Sequence, residues 1–226
     1  DKLTARLNYE LPILRYPETI TAYDGRGDEI TIRSSELHDL KIEGNGLMLN
    51  KPSSSIKMVS FEYDGVLEKI MERYDIEEVL QFLIGLKSMG LKLSLITTNP
   101  RIMDWLSQYR SEIYKLFDYH FQDAFSTNLW AHYVEDLGLK PEEVMHIDLP
   151  FSMGMYNIAD VHRDGFIGVV LPDKYNSLSP VEAIMNKEVD AAIMPDADLN
   201  DISNLIARWV NIGESVKRNT AVENSL

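Results

Sequence analysis

Apolar and polar residues alternate in two rhythms along this chain, and the change falls near residue 56. Before it, Thr19-Ile20-Thr21-Ala22-Tyr23 and Glu29-Ile30-Thr31-Ile32-Arg33 alternate with period two around Asp24-Gly25-Arg26-Gly27-Asp28. That pattern predicts a β-hairpin whose glycines supply the positive φ of the turn. A second hairpin is predicted from Leu40-Lys41-Ile42-Glu43 and Leu47-Met48-Leu49 around Gly44-Asn45-Gly46. Two hairpins bury too little surface to stand alone, so this segment is expected to pack on the rest.

From residue 56 onward short apolar strands alternate with helical patterns. Strands are predicted at Ile56 to Phe61, Leu91 to Thr97, Tyr119 to Gln122, Val144 to Ile147, Phe166 to Leu171 and Ala191 to Met194. Helices are predicted at Ile76 to Lys87, Arg101 to Phe117, Leu129 to Leu137, Met153 to Val161 and Leu199 to Val210. Such alternation gives an α/β fold, a doubly wound parallel sheet with helices on both faces, preceded here by the β-hairpin segment. After Asn211 the chain is polar and unpatterned, and a frayed tail is expected. The expected organisation is 1–55 for the hairpin segment, 56–210 for the α/β core and 211–226 for the tail.

Charge supports a boundary in the same place. Residues 1–57 hold 8 basic and 9 acidic side chains, a net of −1, and residues 58–226 hold 14 and 27, a net of −13. The step follows Lys51-Pro52-Ser53-Ser54-Ser55. A net charge of −14 repels phosphate backbones, which argues against nucleic acid as a partner. The chain has no cysteine, which excludes disulfides, thiolate metal sites and Cys nucleophiles, and fits a reducing compartment. No apolar run reaches the roughly 18 residues of a membrane span.

In a doubly wound sheet, ligands bind beyond the carboxyl ends of the strands. The first core strand is followed by Phe61-Glu62-Tyr63-Asp64-Gly65-Val66-Leu67, the second by Thr97-Thr98-Asn99-Pro100. A later one runs through Lys140-Pro141-Glu142-Glu143-Val144-Met145-His146-Ile147-Asp148, with Asn157-Ile158-Ala159-Asp160-Val161 and Asp164-Gly165 beyond. In this order and spacing, residues 56–210 resemble the haloacid dehalogenase (HAD) superfamily, mostly magnesium-dependent phosphohydrolases. The resemblance implies a HAD-like, Rossmannoid fold. It places Glu62 at the nucleophile position, Asp64 at the general acid/base, and Thr98 at the phosphate-binding hydroxyl before Asn99, with Thr97 as the alternative. Metal binding would fall to Glu62, Asp64 and Asp148.

The departures from the family pattern matter as much as the matches. Glu62 stands where the family has Asp, and the extra methylene moves a carboxylate oxygen by about 1.5 Å, a misplacement worth on the order of 100-fold in rate. Asp123-Ala124-Phe125-Ser126-Thr127-Asn128 offers no Lys or Arg at the third motif, since Lys140 comes too late in the chain. At the fourth motif Leu149 aligns with a metal ligand, and Asn157 with the later acid. Leucine cannot coordinate a hard cation. Three of four motifs are thus altered where charge is needed for phosphoryl transfer. Asp64 to Thr98 spans 34 residues and Thr98 to Asp123 spans 25, which leaves no room for a cap domain. In the family an open, capless site implies a large substrate, such as a protein, or assembly with another subunit.

Each residue also has a plainer reading. Asp64 is either a residual acid or a carboxylate capping the turn before Gly65. Glu62 is either a surrogate ligand or a solvated residue at a vestigial pocket, and Asp148 either replaces the lost ligand in part or does not. Arg26-Gly27-Asp28 reads as a turn and not as an adhesion motif. The five histidines lack i, i+4 ligand spacing, so no histidine zinc site is expected, and His146 reads as a packed strand residue. The sequence thus leads to a HAD-like pseudoenzyme, cytoplasmic, without a required cofactor, acting as a binding or scaffold component with a protein partner and with neither nucleic acid nor membrane. The alternative is an atypical phosphohydrolase that uses Mg²⁺ on a phosphorylated macromolecule or metabolite.

Overall fold

Strand β1 (Thr19–Asp24) turns into β2 (Glu29–Arg33) with Ile20 opposite Ile32 and Ala22 opposite Ile30. Asp24 Oδ1 accepts from the backbone N–H groups of Arg26 (2.8 Å) and Asp28 (2.9 Å), and Gly27 takes a φ of 90°. This is the side-chain-to-backbone chemistry that makes Asp and Gly turn formers. The computed structural model describes residues 16–42, 44–122, 129–149, 158–172 and 180–210.

The second hairpin is not formed. Residues 40–42 make no strand, and β3 (Leu47–Met48) lies antiparallel between β1 and the last strand of the core, β9 (Ala191–Ala192). Leu47 and Met48 are both buried, so pairing on both sides satisfies backbone groups that a free hairpin would leave at an edge. Gly46 permits the approach, because a Cβ there would collide with the Ala192 carbonyl.

The core runs β4 (Met58–Glu62), α1 (Glu68–Arg73), α2 (Ile76–Ser88), β5 (Lys92–Thr97), α3 (Ile102–Tyr109), α4 (Ser111–Leu116) and β6 (Tyr119–Gln122). A π-helix (Trp130–Asp136), β7 (Val144–Asp148), α5 (Ile158–Arg163), β8 (Ile167–Val170), α6 (Pro180–Met185), β9 and α7 (Leu199–Val210) follow. Among the described residues one sheet of nine strands has the order β2-β1-β3-β9-β8-β7-β4-β5-β6. From β9 to β6 every neighbour is parallel. In chain order these six strands read 3-2-1-4-5-6, the doubly wound arrangement expected from the alternation, with its switch point between β4 and β7.

Alternate residues of the strands feed two cores. Val59, Phe61, Leu93, Leu95, Met145 and Ile147 pack under α1, α2, α3, α4 and α7, where Phe61 meets Phe82 and Phe117 edge-on at 6.2 Å. Met58, Ile96 and Val144 face the other way, onto Tyr133, α5 and α6, and that core continues to Ile20, Ala22, Ile32 and Leu47 of the first strands. Helix α2 starts at a capping box in which Asp75 Oδ1 accepts from Glu78 N (2.9 Å) and Glu78 Oε2 from Asp75 N (3.0 Å).

The helix expected over 101–117 is two. Arg110, at φ −140° and ψ 46°, breaks it, and the turn in direction leaves Trp105 and Tyr109 exposed while Met103, Leu106 and Ile113 stay buried. The sequence pattern missed α1 and α6. Of the helix expected at 153–161, residues 158–161 are seen within α5 and the rest lies outside the described residues, as do the third-motif stretch 123–128, Asn157 and the tail from 211. No helix among the described residues is long and apolar enough to cross a membrane.

Candidate functional site

Glu62, Thr97 and Asp148 are the last residues of β4, β5 and β7, so the sheet itself delivers them to the switch point. Beyond Glu62 the chain turns sharply through Asp64 (φ −67°, ψ 106°) and Gly65 (φ 85°) before α1. Asp64 Oδ2 accepts a hydrogen bond from Thr97 Oγ1 (2.8 Å), and Thr97 Oγ1 accepts in turn from Asn99 N (3.0 Å). Thr98 is half-buried and Asn99 exposed, so the hydroxyl that meets the first-motif acid is that of Thr97. Glu62, Asp64 and Asp148 are brought together, close enough that the Glu62 carboxyl feels the charges of both other acids.

The titratable groups are buried. Glu62 is 4% exposed, His146 1% and Asp148 2%. Burial, then the charges of Asp148 and Asp64, push the Glu62 carboxyl up to about 9, so it keeps its proton at neutral pH. A protonated carboxyl is a hydrogen-bond donor and a poor nucleophile.

Behind these acids runs a chain of polar groups that the sequence reading did not pick out. Ser94 Oγ and Tyr133 OH are 2.7 Å apart, Tyr133 OH and Ser60 Oγ 2.7 Å, and Ser60 Oγ and His146 Nδ1 2.9 Å. His146 Nε2 then lies 3.7 Å from Asp148 Oδ2, whose partner oxygen Oδ1 accepts from Leu149 N at 2.6 Å. Ser60 stands opposite both Ser94 and His146 in the strand register, which places all of them on one sheet face. The available signal was the period of two: Ser60 with Glu62 and His146 with Asp148 are each two apart on a strand. One ligand atom each from Glu62, His146 and Asp148 lie within 4.8 Å of one another.

The residues present do not fit magnesium. Mg²⁺ takes near-octahedral oxygen ligands and usually keeps several waters. Here an imidazole nitrogen occupies one side, and Leu149, 8% exposed, fills another. A Cβ on Gly65 would collide with its Cδ1, so the leucine packs directly over the turn that follows β4.

A doubly wound α/β protein with a sealed polar site at its switch point is therefore the class that fold and geometry define. Solved structures similar to it are those of HAD proteins, the superfamily that the motifs resemble. One, from Legionella pneumophila and assigned to HAD subfamily III A, is 15% identical and covers 72% of this chain and 88% of its own, with a TM-score of 0.46. The 3-deoxy-D-manno-octulosonate 8-phosphate phosphatase of Moraxella catarrhalis, solved with magnesium, phosphate and the sugar acid, is 14% identical over 72% of this chain and 92% of its own, with a TM-score of 0.45. The cobalt-bound deoxy-D-mannose-octulosonate 8-phosphate phosphatase of Haemophilus influenzae is 13% identical over 70% and 90%, with a TM-score of 0.44. At these scores the likeness says nothing of activity or substrate. No family model and no curated protein matches the chain.

Proposed function

We propose that this chain is a HAD-like protein that has left phosphoryl transfer and serves as a binding or scaffold component for another protein. One observation carries the reading: an apolar side chain, Leu149, packs against Gly65 in the turn that follows β4, where the family pattern calls for a metal-ligating acid. The protonated Glu62 supports it, because the residue at the nucleophile position carries no charge at neutral pH. The net charge of −14 favours a partner with a basic face, and a cytoplasmic setting belongs to the same reading.

Hydrolysis of a generic phosphomonoester at millimolar Mg²⁺ tests it. No turnover above a heat-inactivated control is expected. Turnover that vanishes in Asp64→Asn would establish the second reading, an atypical phosphohydrolase, which the Asp64–Thr97 hydrogen bond favours.

A further inference from the structure

We infer that Glu62, His146 and Asp148 form a closed site for a first-row transition ion of the Zn²⁺ or Co²⁺ kind, in place of a magnesium site. The donor set is one imidazole and two carboxyl groups from adjacent strands, with ligand atoms within 4.8 Å of one another. Imidazole suits Zn²⁺ and its neighbours, whereas Mg²⁺ takes oxygen. Ligand atoms about 2.0–2.1 Å from zinc stand about 3.3 Å apart in a tetrahedron. The 3.7 Å between His146 Nε2 and Asp148 Oδ2 is already near that separation.

Two further features of the molecule fit an ion there. Metal-bound histidines hold their second ring nitrogen in a hydrogen bond that fixes the ring. His146 does so through Nδ1 and Ser60 Oγ at 2.9 Å, and Tyr133 OH anchors that hydroxyl at 2.7 Å. Second, the three ligand residues are almost wholly buried, Glu62 at 4%, His146 at 1% and Asp148 at 2% exposed, so their ligand atoms face one another and not solvent. A dication bound there would displace the Glu62 proton to solvent and be balanced by the two ligand carboxylates, with Asp64 or a water completing its shell. In a buried site such an ion would pin β4 to β7 and needs no substrate to do so.

The test uses the full chain, stripped with a chelator and titrated separately with Zn²⁺, Co²⁺ and Mg²⁺ while melting temperature and the visible Co²⁺ absorption are followed. Uptake of one equivalent of Zn²⁺ or Co²⁺ with a rise in melting temperature, and no rise with equal Mg²⁺, is the expected result. His146→Gln should abolish it. Ser60→Ala keeps all three ligands and should weaken Zn²⁺ affinity about 10–100-fold, which keeps the inference testable if His146→Gln fails to fold. His132→Gln removes a more exposed pair, His132 Nδ1 to Asp136 at 3.8 Å, and should change nothing. Zn²⁺ that leaves the folded wild type unaffected, or an effect lost in His132→Gln and kept in His146→Gln, would overturn the inference. Phosphomonoester turnover with Mg²⁺ would defeat the proposed function, whereas failure of Zn²⁺ to bind defeats only the ion.

Discussion

Leu149 lies so close over Gly65 that a single methyl group on the glycine would collide with the leucine Cδ1. Gly65 also holds a φ of 85°, which side chains other than glycine rarely adopt. Gly65→Ala therefore meets two penalties, and a loss of about 2–4 kcal/mol is expected from strain and overpacking together. Urea unfolding measures it. In Gly65→Ala/Leu149→Ala the collision is relieved and the φ penalty stays, so the double variant should lose less than the sum of the single ones. Strict additivity would show that the two residues do not touch.

Tyr133 OH serves both Ser60 and Ser94 from a fully buried position. Tyr133→Phe keeps the ring, takes its partner from Ser94 Oγ and leaves Ser60 Oγ with His146 Nδ1 alone, at an expected cost of about 1–3 kcal/mol. Ser94→Ala, which removes one outer member, should cost less. Equal losses would mean that the chain of hydrogen bonds is not shared through the tyrosine.

His162 gives stability a pH dependence remote from the switch point. Its Nδ1 is 2.9 Å from Asp190 Oδ2, which also accepts from Gly168 N, and this hydrogen bond raises the His162 pKa above 6.5 against the opposing effect of burial. The contribution is complete below the unfolded value of about 6.5 and is lost as pH rises through the higher folded value. Urea midpoints should fall across that window in the wild type, with a shallower fall in His162→Gln. An unchanged slope in the variant would assign the effect to another group.

Glu62→Asp restores the family's residue at one position and leaves Leu149 in place. No Mg²⁺-dependent phosphomonoester hydrolysis is expected from it, because the leucine still occupies the space over Gly65. Turnover in this variant would show that the extra methylene alone had silenced the site.

The doubly wound core was readable because Val59, Phe61, Leu93, Leu95, Met145 and Ile147 combine strand periodicity with helices between them, and both signals are local. The positions of Glu62, Asp64 and Asp148 were readable for the same reason, since each follows or ends a strand. The role of Leu47 and Met48 was not, because two residues around a Gly-Asn-Gly turn look alike whether they pair within a hairpin or bridge β1 and β9. Only the exposed edge of β9, set by the whole sheet, decides it. His146 was read only as a packed strand residue because its partners come from β4 and from the residue two places on, while metal-site spacing was sought along helices. The break at Arg110 leaves no mark in the apolar pattern, which continues across it.

Since β3 joins β9 to β1, the strands β1 to β3 are woven into the same sheet as the site and do not form a detachable arm. Trimming them would lay bare both the main-chain rim of Ala191–Ala192 and the oily underside that Ile20, Ala22, Ile32 and Leu47 now cover. Raw rims of that kind recruit one another, so a shortened chain would be expected to clump in solution and not to survive as a smaller working version of the protein.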